Sequence, residues 1–440
     1  MGKEEYIETL VSQMRCKRAR EAVARELENH IEEAAETYEA FGLAREEAYE
    51  RAVRQMGDPV KTGVEMDRIH RPRLQWQMLG LILLLSILGI LVQYHLELET
   101  QANVFQKQCI AVVLGLGIML AVYVLDYSFL GKYTYAVYWG YVALIFAVQI
   151  FGKIESYRFW VNGMQRFLIM PMYLFVPLFA AVLYRHRGGG RMGLLRCISF
   201  GALPVLLAMK LVPSVMCGLD LAVIFGIMIL IAVISGWFAV NKKRTAAILA
   251  ACFFVIPAGL FTLGMQFFFQ GYQRARILAF LMPRQYGEYA SYPKTAAREM
   301  LRQSKVLGEG GKSMLLFDNR LTHSEYIFTQ MIAKFGILAG ICALVLLACL
   351  IVQVFHISVR QQNQLGRMIG IGCGLVFLVQ VMGIVFMNLG IGMEATLFLP
   401  FFSYGNSAAI VFYILLGLVL SIYRYKDIPA GAGMRRRTFS

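Results

Sequence analysis

An acid and a histidine stand together in the stretch LTHSEYIF, directly before a long apolar run. They are Glu325 and His323, and the run continues to about residue 356. A carboxylate and an imidazole can transfer protons during catalysis, and a charged side chain near bilayer depth is costly unless it has a partner or a role. In the alternative interpretation Glu325 is a helix N-terminal acid, stabilised by about 0.3–1 kcal/mol through the helix dipole, with Thr322 or Ser324 as the N-cap.

The segment in front of this stretch is basic and unusually long. Between residues 266 and 326 the chain has nine Lys or Arg and, before Glu325, four acids. Two of the cations, Arg274 and Arg276, lie in YQRARILAFLMP. Long loops in compact proteins are usually functional or disordered, and the aromatic and aliphatic residues of this one favour order. Its charge suits anionic headgroups or phosphate-bearing ligands.

The composition excludes an ordinary soluble domain. The chain has 440 residues, of which 58% are hydrophobic, and a mean hydropathy of +0.57, which is typical of a multi-spanning membrane protein. Residues 1–76 hold 16 of the 28 acids and 13 basic residues, whereas the remainder holds 12 acids and 30 basic residues. The sequence offers no basic patch for nucleic acid outside short loops. The eight cysteines form no CxxC pair and favour neither disulfides nor a zinc site.

Ten apolar segments, each about as long as a bilayer requires, follow the acidic region. Ten spans place both termini on one side, and the Lys and Arg of the short connections favour the cytoplasm. We predict an all-α polytopic protein of the plasma membrane, with a soluble helical domain at 1–72, a membrane domain at 73–426 with an extracellular loop at 266–326, and a basic cytoplasmic tail at 427–440. The segments are 77–95, 108–126, 134–152, 167–185, 193–212, 218–240, 244–264, 327–356, 367–388 and 402–423.

The first 72 residues predict a small helical domain. AREAVARELENHIEEAAETYEAFG places Val23, Leu27 and Ile31 at helical spacing, and Gly42 ends the pattern. LAREEAYERAVRQMGDP repeats the pattern and closes at Gly57. The domain resembles the short helical prefix found ahead of some bacterial permeases and sensor-linked membrane proteins. We expect it to have a structural role.

Four motifs in the membrane part occur in an order that is familiar from one family. YQRARILAFLMP is similar to YQ..RI..FL.P, and LTHSEYIFTQMIAKFGILAG to HTDFIF…EELG.IG. LPFFSYGNSA (Leu399 to Ala408) is similar to LPF.SYGGSS, and RFWVNG (Arg158 to Gly163) to RWI..G. Together they resemble the SEDS family (shape, elongation, division and sporulation), typified by FtsW, RodA and SpoVE. The resemblance covers about residues 77–426 and leaves the prefix domain out.

The resemblance implies a ten-helix SEDS fold and a peptidoglycan glycosyltransferase activity. Members polymerise lipid II, an undecaprenyl-linked precursor, beside a class B penicillin-binding protein. Glu325 occupies the position of the family's catalytic Asp and would be the general base, while cations would stabilise the pyrophosphate leaving group. Whether a divalent cation binds at the pyrophosphate stays an open question, and the sequence predicts no metal site formed by protein side chains. The predicted substrate-binding residues are Arg276, which matches the family's Arg, Arg274, His323, Ser403 and Tyr404.

Several positions depart from the family's pattern. Glu325 is one methylene longer than Asp, and an error near 1 Å in placing a catalytic group can lower the rate about 100-fold. The QPSE..K of the fourth span is replaced by residues 170–176, without its Glu and Lys, and QPD.G ahead of the sixth by Val212-Pro213-Ser214. The P.TG that precedes LPF is missing, and Asn406 replaces the second glycine of SYGG.

These departures keep other functions open. One is a catalytically degenerate SEDS-fold scaffold or regulator of a cell-wall complex, in which Glu325 is only a helix-end charge. Another is a flippase for the lipid-linked precursor. The flippase gains little support, because no charged, broken helices are evident at mid-membrane, and the candidate buried acids Asp126 and Asp220 lie near segment ends.

Overall fold

The structure is a computed structural model, and all its regular elements in the described residues are helices. Those residues are 2–15, 17–70, 74–100, 103–155, 165–212, 214–263, 271, 274, 278, 292–310, 319–391 and 395–426. The predicted all-α fold is therefore confirmed. The helices are α1 (Lys3–Ser12), α2 (Lys17–Ala40), α3 (Arg45–Gln55), α4 (Pro59–His70), α5 (Trp76–Thr100), α6 (Phe105–Val124), α7 (Ser128–Lys132), α8 (Thr134–Glu155), α9 (Gln165–Ile169), α10 (Phe175–Arg185), α11 (Arg191–Lys210), α12 (Val215–Ile234), α13 (Lys242–Leu263), α14 (Tyr292–Gln303), α15 (Asn319–His323), α16 (Ile327–Phe335), α17 (Ile337–Val359), α18 (Gln364–Asn388) and α19 (Asn406–Arg424).

The chain divides into two compact units. One comprises Met1–Gln75 with Tyr423–Ser440, and the other Trp76–Ile422. In the first unit α1 to α4 surround an apolar core that includes Val23, Leu27 and Ile31, as their helical spacing predicts. The two expected helix stops are present, because α2 and α3 are each followed by a glycine of positive φ, Gly42 and Gly57.

The second unit is polytopic. Within the described residues, eight helices are long and apolar enough to cross a membrane. The predicted third and seventh segments correspond to α8, whose apolar part is Thr134–Ile150, and to α13. The eight helices span Trp76–Leu98, Phe105–Val124, Phe167–Arg185, Arg191–Lys210, Val215–Ile234, Ile337–Val359, Gln364–Asn388 and Asn406–Arg424.

The predicted eighth span, 327–356, is wrong in its extent. The apolar run is two helices, the short α16 and the membrane-spanning α17, separated at Gly336. Gly336 has a φ of 94°, and a Cβ built there would lie 2.6 Å from the Val306 carbonyl oxygen. Backbone groups on both sides of the break bond to the segment after α14: Ile337 N–H donates to the Lys305 oxygen at 3.0 Å, and the Phe335 oxygen accepts from Gly308 N–H at 3.2 Å. A segment from elsewhere in the chain therefore binds the break on both sides.

The fourth span is also irregular. A 3₁₀ turn, Pro171–Leu174, separates α9 from α10, because a proline cannot donate the backbone hydrogen bond that a continuous helix needs. Most of this span is buried inside the unit, and α10 packs against α18. The helix α17 contacts both α18 and α5. The helices α5, α16 and α18 bound the site described next.

Candidate active site at the Ser324–Tyr326 turn

The LTHSEYIF stretch folds into α15, a turn at Ser324–Tyr326 and the start of α16. Every residue from Thr322 to Gln330 is buried, and Glu325 is 7% exposed. The N-cap of α16 is Tyr326, which makes no side-chain cap hydrogen bond. Neither Thr322 nor Ser324 therefore caps this helix, which corrects the alternative interpretation of the stretch. Glu325 lies on a buried turn between two helices.

The LPFFSYG loop binds this turn directly. The backbone N–H of Tyr404 donates to the carbonyl oxygen of His323 at 2.8 Å, and the Ser403 hydroxyl donates to the Ser324 carbonyl at 2.7 Å. The same hydroxyl accepts the N–H of Leu399 at 2.7 Å. The structure thus brings together Ser403, Tyr404, His323 and Glu325, which were predicted from separate motifs. The contacts of Ser403 and Tyr404 support the backbone of the turn.

Gln93 on α5 connects the turn to the loop. Its Nε2 donates to the His323 carbonyl at 2.9 Å and to the Phe402 carbonyl at 2.7 Å. Because these two acceptors fix which end of the amide is NH₂, its Oε1 faces His323 Nδ1 at 2.8 Å. His323 Nδ1 is then the donor, and the neutral ring carries its proton there.

Asn388, the last residue of α18, binds the acid's own backbone. Its Nδ2 donates to the Glu325 carbonyl at 2.9 Å and to the Ile384 carbonyl at 2.8 Å. Its Oδ1 accepts from Thr329 on α16, from the backbone N–H at 3.0 Å and from the hydroxyl at 2.7 Å. Three successive carbonyls, from His323 to Glu325, are thus bound by groups from elsewhere in the chain.

Burial lowers the pKa of His323 below its ordinary value of 6.5, although the nearby charge of Glu97 on α5 acts in the opposite direction. The unfolded chain therefore takes up this proton at a higher pH than the folded protein. The stability contributed by neutral His323 is present above about pH 6.5 and is lost as the pH falls below it.

We expect the melting temperature of the purified protein to fall between about pH 7.5 and about pH 5, and to fall less steeply in His323→Gln. His30→Gln, at an exposed histidine of α2, is the matched control and should follow the wild type. Equal pH slopes for His323→Gln and the wild type would contradict the assignment.

The loop helix α14 packs against the same turn. Ala296 and Ala297 form an apolar cluster with Tyr326, and α14 also contacts α16 and α18. Arg298 on α14 donates to the Gly390 carbonyl at 2.7 Å, two residues beyond Asn388. The basic loop is therefore ordered over α14 and brings a cation close to the end of α18.

Two of the predicted features lie outside the described residues: Arg276 and the RFWVNG motif at 158–163. Arg274 is described and half-buried. Among the described residues, no cluster of three His, Cys, Asp or Glu could hold a metal ion.

A second polar pair lies where the fourth span departs from the family's pattern. The Tyr173 hydroxyl donates to Asp220 Oδ2 at 2.6 Å, and both residues are buried. Asp126, the other acid considered, accepts from Ser128 in a turn after α6. The interior of this region therefore keeps a buried carboxyl group, supplied by α12 and paired with the 3₁₀ turn.

Sequence reasoning missed Gln93 and Asn388. Each is a polar residue near the end of an apolar segment, and a polar side chain inside a membrane span is a signal of interhelical hydrogen bonding. That signal could have selected them as candidates. It could not have named His323 and Glu325 as the residues they bind.

Comparisons with known proteins agree with this architecture. The family model described as the cell cycle protein family FtsW/RodA/SpoVE matches residues 72–428. A probable peptidoglycan glycosyltransferase FtsW of Synechocystis is 31% identical over 170 residues, which are 36% of this chain and 42% of that protein. Another, from Enterococcus hirae, is 24% identical over 379 residues, 80% of this chain and 92% of that protein. The chain thus spans less than half of the first relative.

A solved structure shows the same fold. A chain in the structure titled as the structural coordination of polymerization and crosslinking by a peptidoglycan synthase complex superposes with a TM-score of 0.59 at 19% identity, covering 80% of this chain and 98% of that one. The family match includes the membrane unit and both motifs that meet at the Glu325 turn. This chain belongs to the FtsW/RodA/SpoVE family of cell cycle proteins.

Proposed function

We propose that this protein is a peptidoglycan glycosyltransferase that polymerises lipid II at the outer face of the cell membrane, with Glu325 as general base. The observation that carries the proposal is the buried turn at Glu325, whose backbone is bound from α5, α18 and the LPFFSYG loop. A catalytic carboxylate must be held in a defined geometry, and this turn is held on three sides. Two FtsW relatives carry the same activity in their names.

In the proposed reaction, Glu325 removes the proton of the acceptor sugar's hydroxyl as the oxygen attacks the anomeric carbon of the donor. The new glycosidic C–O bond forms while the bond between that carbon and the pyrophosphate oxygen breaks. Lipid pyrophosphate leaves with the electron pair, and the carboxyl group then releases its proton to water. Cations stabilise the charge that develops on the leaving group.

We assign the pyrophosphate to Arg274 and Arg276, within a loop that is basic overall. His323, Ser403 and Tyr404 belong to the substrate site, and the contacts of Ser403 and Tyr404 support a role in shaping it. A divalent cation at the pyrophosphate is part of the proposal only as a substrate-bound ion. Its ligands would be chiefly phosphate oxygens and water, as is usual for Mg²⁺ with phosphates.

We propose a cytoplasmic location for both termini, from the Lys and Arg of the short connections, which places the loop and Glu325 outside the cell. A class B penicillin-binding protein is the proposed partner. The support is the similarity to a chain of a complex whose title couples polymerization to crosslinking.

The test is glycan polymerisation from lipid II by the purified protein, alone and with candidate class B partners. We expect glycan strands whose synthesis is stimulated by one partner. A well-folded protein that binds the partner but forms no polymer under any condition would contradict the proposal and favour the scaffold function.

A further inference from the structure

We propose that Asn388 is a positioning residue for the reaction: it sets the orientation of the Glu325 carboxylate by binding the backbone carbonyl of the same residue. This inference rests on the proposed function of Glu325 as the base. It adds a residue from outside the predicted site, on a helix 63 positions further along the chain.

The hydrogen bonds of Asn388 use the full capacity of its side-chain amide. Both N–H groups donate, one to the Glu325 carbonyl and one to the Ile384 carbonyl one turn earlier in α18. The Oδ1 atom accepts two hydrogen bonds from Thr329, which matches its two lone pairs. The side chain is fully buried. It is therefore held by its own helix and by α16 and presents one N–H to Glu325 in a fixed direction.

The bound carbonyl belongs to one of the two peptide groups that flank the Glu325 Cα atom. The direction in which the side chain leaves that Cα atom is fixed when both peptide groups are fixed, and their carbonyls are those of Ser324 and Glu325. Neighbouring contacts hold the carbonyls of His323 and Ser324, and the contact with Asn388 holds the third. Glu has one more rotatable bond than Asp, which makes a fixed backbone more important at this position.

Asn388 does not need to touch the substrate to affect the rate. Placement errors near 1 Å can lower a rate about 100-fold, whereas binding of lipid II depends on contacts elsewhere in the site. A positioning role therefore predicts a change in kcat at nearly constant KM. A general packing role would change protein yield or melting temperature instead.

The test compares Asn388→Asp with Asn363→Asp in the purified full-length protein, using lipid II polymerisation. Asn388→Asp keeps the shape and the acceptor for Thr329 but removes both donors, the one to Glu325 and the one to Ile384. We expect kcat to fall about 10- to 100-fold with KM within about 2-fold. Asn363→Asp makes the same chemical change at the other end of α18, where the side chain accepts from the Leu365 N–H at 3.0 Å. Asp can accept in the same way at a helix N-cap, and we expect kcat within about 2-fold of wild type. Melting temperatures confirm folding, and Asn388→Ala replaces Asn388→Asp if the latter does not fold.

Three results would overturn the inference: an unchanged kcat in the folded Asn388 variant, an equal fall of kcat in Asn363→Asp, or a rise of KM alone. Glu325→Gln in the same assay distinguishes a failure of the positioning role of Asn388 from a failure of the proposed base, Glu325. If Glu325→Gln is inactive and the Asn388 variant is fully active, the positioning role fails and the proposed base stands. If Glu325→Gln polymerises normally, both fail.

Discussion

Replacing Glu325 by Gln is expected to abolish glycan polymerisation from lipid II, with a loss of about 10²- to 10⁴-fold, the usual contribution of a general base. Gln has nearly the same volume and shape, and the hydrogen bonds of the turn use the backbone carbonyls of residues 323–325, which the substitution leaves in place. The substitution removes the negative charge and, with it, the ability to accept the proton. The measurement is strand formation by purified wild type and variant at equal concentration, with the melting temperature as a check on folding.

Glu309→Gln is the matched control for this experiment. Glu309 lies in the same loop region, is exposed, and pairs with Lys334 at 3.3 Å. Exposed ion pairs contribute only about 0–1 kcal/mol, so this variant should keep the wild-type rate. Undiminished polymerisation by Glu325→Gln would rule out the acid as the base and reduce it to a structural charge. An equal loss of polymerisation in Glu325→Gln and Glu309→Gln would show that the rate depends on the net charge of this region and not on Glu325 in particular.

Replacing Gly89 by Ala is expected to disrupt the site from a distance. Gly89 lies on α5 one turn before Gln93, and a Cβ there would lie 2.1 Å from the Phe401 carbonyl oxygen and 2.8 Å from its carbon. Both are backbone atoms of the LPFFSYG loop, so the loop must move. Phe401 has a φ of 71°, a left-handed conformation that is unfavourable for a bulky residue and leaves the loop little freedom to adapt.

We expect Gly89→Ala to destabilise the protein by about 1–3 kcal/mol, the usual cost of overpacking, and to lower the polymerisation rate about 10- to 100-fold by displacing the supports of the Glu325 turn. Gly80→Ala is the control on the same helix, because a Cβ at Gly80 meets nothing within 4 Å. Alanine's higher helix propensity should make this control neutral or slightly stabilising. Melting temperature and rate are measured for both, and indistinguishable variants would show that the close approach has no consequence.

Gly89 and Gln93 together form the part of α5 that contacts the LPFFSYG loop. The two residues are four apart and share one face of the helix. The glycine leaves space for the Phe401 backbone, and the glutamine binds the next carbonyl, that of Phe402. Small residues that allow close backbone approach and polar side chains that bond across the contact are both common where membrane helices pack.

The sequence by itself determined the helical membrane architecture and named the candidate for the base. The length of an apolar helix is a local property set by bilayer thickness, so the spans starting near residues 77, 108 and 193 are found within a few residues of their predicted positions. The helical periodicity of the first domain is equally local, and its predicted core residues are buried. Glu325 was selected because the motif LTHSEYIF resembles a family motif, and its role as the base stays a proposal.

Only the tertiary structure decided how that residue is held. The break at Gly336 is bound by residues 305–310, and the glycine alone, although a common helix stop, does not reveal those partners. The hydrogen bonds of the Glu325 turn join residues 59 to 230 positions apart. Local propensity and hydropathy carry no information about such pairs, because the partners become neighbours only after the helices have packed. Gln93 and Asn388 are therefore unremarkable polar residues in the sequence, and supports of the candidate active site in the fold.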